Sequence, residues 1–163
     1  VVSSNLFGNS FFDRQLLDRG IDLRFGRGQL SLTQVTVLQS THVDYVSAKS
    51  NWTARALLKK LNANRQTEAY CLSDNGDLEG KINIIDLLDV TKDVVVKDIM
   101  DPKPLILRSD QSMLEAIEIA SNFVGESIPV LHAKTRQMTG IVTESDLFTA
   151  YLKIQSRVQD VEK

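Results

Sequence analysis

The stretch GIVTESDLF at 140–148 has an earlier counterpart, GKINIIDLL at 80–88. Each runs through a glycine, two residues, Thr or Asn, two further residues, an aspartate and two apolar residues. Such a duplication constrains the fold more than composition does, because it fixes the size of the structural unit before any element is assigned. Laid at an offset of 60, Val35 falls on Val95, Val46 on Ile106, Ala56 on Ala116, Leu57 on Ile117, Gly80 on Gly140 and Asp86 on Asp146. One gap is required. SDNGD between Leu72 and Leu78 is a residue shorter than HAKTRQ between Leu131 and Met138, and a turn tolerates that difference.

Both copies read in the same order. In the second, PLIL at 104–107 predicts a short strand, and Ser109 or Asp110 caps a helix with Met113, Leu114, Ile117 and Ala120 at helical spacing. SIPVL at 127–131 predicts a buried strand, MTGIV at 138–142 a second one, and Thr143 starts a closing helix striped by Leu147, Tyr151, Ile154 and Val158. The first copy predicts a strand at 45–47, a helix over 51–64, a strand at 69–72, a turn at Asp74-Asn75-Gly76, a strand over 78–84 and a helix over 85–90. The fold class is therefore α/β, a β-α-β-β-α unit twice. A unit of roughly 50 residues buries too little surface alone, so the copies are expected to pack face to face about a pseudo-twofold axis. Residues 91–103 link them, held extended by Pro102 and Pro104.

The bulk numbers exclude several classes. With 19 basic and 21 acidic residues interspersed, net charge −2, no basic face marks a nucleic-acid partner. No apolar run reaches the roughly 18 to 20 residues of a membrane helix, and the chain opens on Val1, as a piece of a longer protein would. Cys71, the single cysteine, sits in the apolar run AYCL and reads as a core residue. His42 and His132 stand without neighbours at ligand spacing and read as surface or loop residues, so no metal site is expected. No Ser/His/Asp order, P-loop or GxGxxG is present, and the chain reads as a non-enzyme. Trp52, in the first turn of the first long helix opposite Ser112, reads equally as core or as a partner contact.

The glycine, two residues, Ser/Thr-x-x-Asp and apolar pair after β-α-β, led in by VKDIMDPKPLIL, resembles a CBS domain, and two in tandem resemble a Bateman module. The resemblance divides the chain into an arm at 1–34, CBS domain 1 at 35–92, CBS domain 2 at 93–155 and a tail at 156–163. It implies that Asp146 accepts the ribose hydroxyls of an adenine nucleotide (ATP, ADP or AMP, as a regulatory ligand and not a required cofactor). Thr143 and the helix N-terminus would then face phosphate, and Ile106 and Ile128 would pack on adenine. Asn83 and Asp86 form the weaker second site, since Asn83 stands where a hydroxyl is expected. Relatives often carry a basic residue just before the second strand, where this chain has Glu68 and Ser127. Helix capping alone also accounts for both Thr/Asn-x-x-Asp motifs.

Ahead of the pair, Ser10 predicts a cap for a short helix striped by Phe12, Leu16 and Leu17 and ended by Gly20, with Gly26 and Gly28 making a flexible approach to the first strand. The run from Leu16 through Arg24, followed by a basic glycine stretch and a CBS pair, resembles the C-terminal cytoplasmic region of bacterial CLC-type chloride channels and transporters. It implies a regulatory tail on the cytoplasmic side of the cell membrane, joined to a transmembrane chloride-transport domain of the same parent chain, modulating chloride transport and stabilising a homodimer. The alternatives are a self-standing or otherwise attached nucleotide-sensing module, or a purely structural dimerisation unit.

Overall fold

A computed structural model describes residues 27–91 and 93–162. Helix α1 (Arg27–Gln34) and a 3-10 turn (Val37–Ser40) lead into a first half of β1 (Val46–Ala48), α2 (Ala54–Asn64), β2 (Glu68–Leu72), β3 (Leu78–Asn83) and α3 (Ile84–Leu88). Helix α4 (Val96–Ile99) leads into a second half of β4 (Leu107–Arg108), α5 (Met113–Ala120), β5 (Ser127–Leu131), β6 (Met138–Thr143) and α6 (Glu144–Glu162). Each half holds a three-stranded sheet whose first pair is parallel and second antiparallel. The β-α-β-β-α unit thus occurs twice.

Local chemistry sets the boundaries. Thr53 caps α2 by accepting from Ala56 N at 3.2 Å, so that helix starts later than position 51. Ser112 caps α5 in the same way, accepting from Glu115 N at 3.1 Å. The expected caps Ser109 and Asp110 instead form a turn ahead of the helix. Strand β4 is only Leu107–Arg108, not 104–107, because Pro104 has no N–H to give a ladder. The linker expected to be extended carries α4, since Val96 is fully buried in the core of the first half. Gly76 turns the first hairpin at φ +83, a left-handed conformation that glycine adopts without strain. The helix expected at 10–20 lies outside the described residues, while the approach around Gly28 is helix α1, with Leu32 buried.

The caps correct the register of the repeat. Thr53 and Ser112 stand 59 positions apart, as do the bulged pairs Cys71/Leu72 and Val130/Leu131. Only after the longer second turn does the offset become 60, at Gly80 and Gly140. Val35 therefore corresponds to Val94, Val46 to Leu105, Ala56 to Glu115 and Leu57 to Ala116. Thr53, not Trp52, stands opposite Ser112.

Packing order differs from chain order. Met113 N donates to Val35 O at 2.7 Å and Val37 N to Gln111 O at 2.9 Å, tying the lead-in of the first half to the second. Ala54 N donates to Val94 O at 2.7 Å and Val96 N to Trp52 O at 2.8 Å, tying the lead-in of the second half to the first. Leu32 and Val37 accordingly sit in the core of the second half with Ile117, Val130, Leu147 and Tyr151. Val96 sits in that of the first with Leu57, Leu61 and Ile82. A third cluster of Tyr70, Leu78, Leu131 and Ile141 joins the two sheets across the pseudo-axis.

The exchange explains the repeated glycine. The backbone of His42 pairs with Ile141 (N to O 3.0 Å and O to N 2.8 Å), crossing directly over Gly140. Asp101 pairs with Lys81 in the same manner, over Gly80. A Cβ on Gly140 would collide with His42 O, and one on Gly80 would lie 2.9 Å from Asp101 O and 2.6 Å from Met100 Sδ. No side chain fits under either crossing.

Candidate functional site

The second-half corner forms where β6 hands over to α6. Thr143 N donates to Asp146 Oδ2 at 2.8 Å and Asp146 N donates to Thr143 Oγ1 at 3.1 Å, a reciprocal capping box. His42, on the exchanged lead-in, brings Nε2 to 2.9 Å from the same Oδ2. The two side chains are 40% and 30% exposed. These bonds leave Asp146 Oδ1 and the Thr143 hydroxyl proton uncommitted among the described residues. The corner can thus accept from ligand hydroxyls through the carboxylate and donate one hydrogen bond through threonine.

His42 lies outside the regular elements with a part-exposed side chain, in keeping with a surface or loop residue, but its contact with Asp146 was not expected from the sequence. Sequence separation hid it, because 104 residues divide His42 from Asp146. The available signal was the repeated glycine, which requires some backbone to lie across it.

The first-half corner is a reduced version. Asn83 Oδ1 accepts from Ile85 N at 3.0 Å, two residues on, and Asp86 is exposed. Helix α3 spans five residues against nineteen in α6, so it aligns far fewer peptide dipoles.

The apolar pair divides. Ile106 is half-buried against the cluster that joins the halves. Ile128 is 1% exposed in the core of the second half. Strand alternation points it away from Ser127 and leaves it no face for an adenine, which corrects the expected role.

Glu68 and Ser127 are likewise closed to a ligand, at 7% and 5% exposure. Glu68 Oε1 accepts from Ser127 N at 2.9 Å and from Ser127 Oγ at 2.8 Å, and Oε2 lies 3.0 Å from Lys81 Nζ. Since Ser127 Oγ has a single proton and gives it to Glu68, Tyr70 OH must be the donor across its 2.6 Å contact with Ser127 Oγ. Burial pushes the Tyr70 phenol well above its usual range, so it stays a donor. This network crosses the pseudo-axis and balances the Glu68 charge internally.

A cavity of about 310 Å³ opens beside the corner. One wall is a single stripe of α6, namely Asp146, Thr149, Ala150, Lys153, Ile154 and Arg157. Val35, Gln39 and Ser40 form the other. Trp52 lines a separate groove along α2, partly packed on the core of the first half, with Lys60 Nζ 4.9 Å from its ring centroid. His132 is exposed, its Nδ1 accepting from Lys134 N at 3.2 Å. Among the described residues no group of three or more His, Cys, Asp or Glu is placed to hold a metal, and no helix is long and apolar enough to cross a membrane.

Residues 96–153 match the family model of the CBS domain. No curated protein matches the chain. Among solved structures, the cytosolic domain of the Mg2+ channel MgtE in complex with ATP is 23% identical with a TM-score of 0.62, over 68% of this chain and 46% of that one. This chain therefore spans less than half the length of that structure. CBSX2 in complex with AMP is 24% identical with a TM-score of 0.66, over 74% of this chain and 98% of that one. A CBS domain pair/ACT domain protein from Thermotoga maritima is 20% identical with a TM-score of 0.64, over 73% and 98%. The fold is that of a tandem CBS pair.

Proposed function

We propose that this tandem CBS pair is a regulatory module that binds an adenine nucleotide at its second-half corner and transmits occupancy through the exchanged lead-in segments. The observation that carries the reading is the convergence of Thr143, Asp146 and His42 at the start of a nineteen-residue helix. A carboxylate with one oxygen uncommitted suits the vicinal hydroxyls of a ribose, and a helix N-terminus suits phosphate. The MgtE structure contains ATP and the CBSX2 structure AMP, which supports the ligand class.

Attachment to a transport protein is the finer part of the proposal. The resemblance of the N-terminal segment to CLC-type tails supports a chloride-transporting parent, with this module on the cytoplasmic side of the membrane and no catalytic role. Likeness to a cytosolic channel domain supports transporter attachment in general. A second reading, a self-standing sensor, is favoured by the CBSX2 structure, of which the chain covers 98%. Homodimerisation belongs to both readings, and the exposed Ile85 and Leu88 of α3, at 62% and 64%, are apolar surface available for it.

Competition of ATP, ADP and AMP against a fluorescent adenine nucleotide tests the ligand class. Displacement by at least one of them supports it, and a signal that no unlabelled nucleotide displaces contradicts it.

A further inference from the structure

The two halves present the same helix face with opposite charge. Helix α2 holds Arg55, Lys59 and Lys60 and no acidic residue, whereas α5 holds Glu115 and Glu118 and no basic one. In the register fixed by the caps, Ala56 corresponds to Glu115, Lys59 to Glu118, Lys60 to Ile119 and Ala63 to Asn122. Arg55, Lys59, Glu115 and Glu118 are exposed, and among the described residues no ion pair or side-chain hydrogen bond engages them. Helix α1 packs on α5 and α6 and leaves both glutamates exposed. Along α2, Trp52, Ala56 and Ala63 floor a groove of about 570 Å³ rimmed by Lys59 and Lys60. Lys60 is held in place there, donating to Ser47 O at 2.7 Å with its Nζ over the Trp52 ring. The alanines let a second helix approach closely.

We infer that two copies of this chain pair in opposite orientation, the α2 groove of one receiving α5 of the other. The inference rests on the homodimer reading and adds which half meets which. A two-fold axis makes the contact twice, each copy giving its basic face once and its acidic face once. Arg55 and Lys59 then meet the partner's Glu115 and Glu118, and the partner's Ile119, half-buried in the single chain, covers the apolar floor beside Trp52. Pairing like halves instead sets cations on cations across one contact and carboxylates on carboxylates across the other. Exposed ion pairs add little affinity, so the charges select the orientation while Trp52, Ile119 and the exposed apolar residues of α3 supply the buried area. Each contact thus joins the first half of one copy to the second half of the other, which carries the candidate corner.

Equilibrium sedimentation of the full chain over a range of concentrations, on wild type, Arg55→Glu/Lys59→Glu, Glu115→Lys/Glu118→Lys and the combination of all these changes in one chain, tests this. Thermal melts establish that each variant is folded. The dimer dissociation constant is expected to rise about tenfold or more in either double variant and to return to the wild-type range in the combined one. Like-half pairing keeps its repulsion whichever sign the matching faces share. Double variants that dimerise as tightly as the wild type therefore overturn the opposite orientation and leave the homodimer standing. A combined variant as weak as the double ones does the same. A wild type that stays monomeric at every concentration overturns both, and a mass that grows without limit overturns the closed two-fold pair.

Discussion

His42 Nε2 lies 2.9 Å from Asp146 Oδ2, so the last step of the first lead-in is fastened to the first turn of the last helix. The backbone of the same residue pairs with Ile141, which gives that crossing two kinds of anchor. A force on the segment ahead of the first half can reach the corner through residues 37–42, and also through α1, whose Leu32 packs in the core of the second half. The first is a short physical route from whatever precedes the module to its candidate site.

Replacing His42 with Ala removes the contact to Asp146 and leaves the backbone pairing in place. Because both side chains are part-exposed, the cost should be modest, about 0.5 to 1 kcal/mol. Thermal unfolding checks this, with an expected fall of a few degrees. A loss several times larger would mean that the lead-in depends on the side chain and not on the strand pairing.

Gly140→Ala should be the more damaging of the two glycine substitutions. Its Cβ would run into the His42 carbonyl, which is backbone held by two hydrogen bonds, and overpacking of this kind costs about 1 to 3 kcal/mol. At Gly80 the nearest atom is the flexible Met100 sulfur, so part of the clash can relax. Denaturant melts of the two variants should rank Gly140→Ala as less stable.

Lys81→Met would leave the Glu68 carboxylate nearly buried and without its cation. Breaking such a pair from one side costs about 3 kcal/mol or more, whereas Glu68→Gln/Lys81→Met should recover part of it. A double-mutant cycle by chemical denaturation measures the coupling. Strict additivity would mean that the two groups contribute independently.

Cys71 should resist alkylation in the folded state. Burial pushes its thiol up to about 12, with the Glu79 carboxylate adding to the shift, and its side chain has no exposed surface. Labelling at pH 8 is expected to proceed only at the rate of unfolding, and it should accelerate with denaturant. Rapid labelling of the native chain would contradict the burial.

The repeat was legible because a motif with a glycine and an aspartate at fixed spacing survives in both halves. Its register was legible only after the turn. Anchoring on Gly80 and Gly140 carried an offset of 60 back across an inserted residue, and apolar coincidences such as Ala56 with Ala116 disguised the slip. The caps Thr53 and Ser112 give 59 instead. The exchange of lead-ins was not legible, since nothing local tells a strand which of two similar sheets it will meet. For the same reason Thr143 and Asp146 could be named from sequence while His42 could not. Ile128 was misread because a strand buried along its whole length, as SIPVL is, does not disclose which face turns toward the cleft.

Binding of an adenine nucleotide at the Thr143–Asp146 corner is the proposal on which the regulatory reading depends. Its most direct test is the thermal melt of the chain with saturating ATP, ADP or AMP, each compared with the ligand-free melt of the same protein, for wild type and for Asp146→Ala. At 100 times its dissociation constant a ligand adds about 2.7 kcal/mol, a rise of about 5 to 11 °C. Such a rise is expected for the wild type with at least one nucleotide, and its loss in Asp146→Ala. An unmoved wild-type melt, or a rise that survives the substitution, would contradict it.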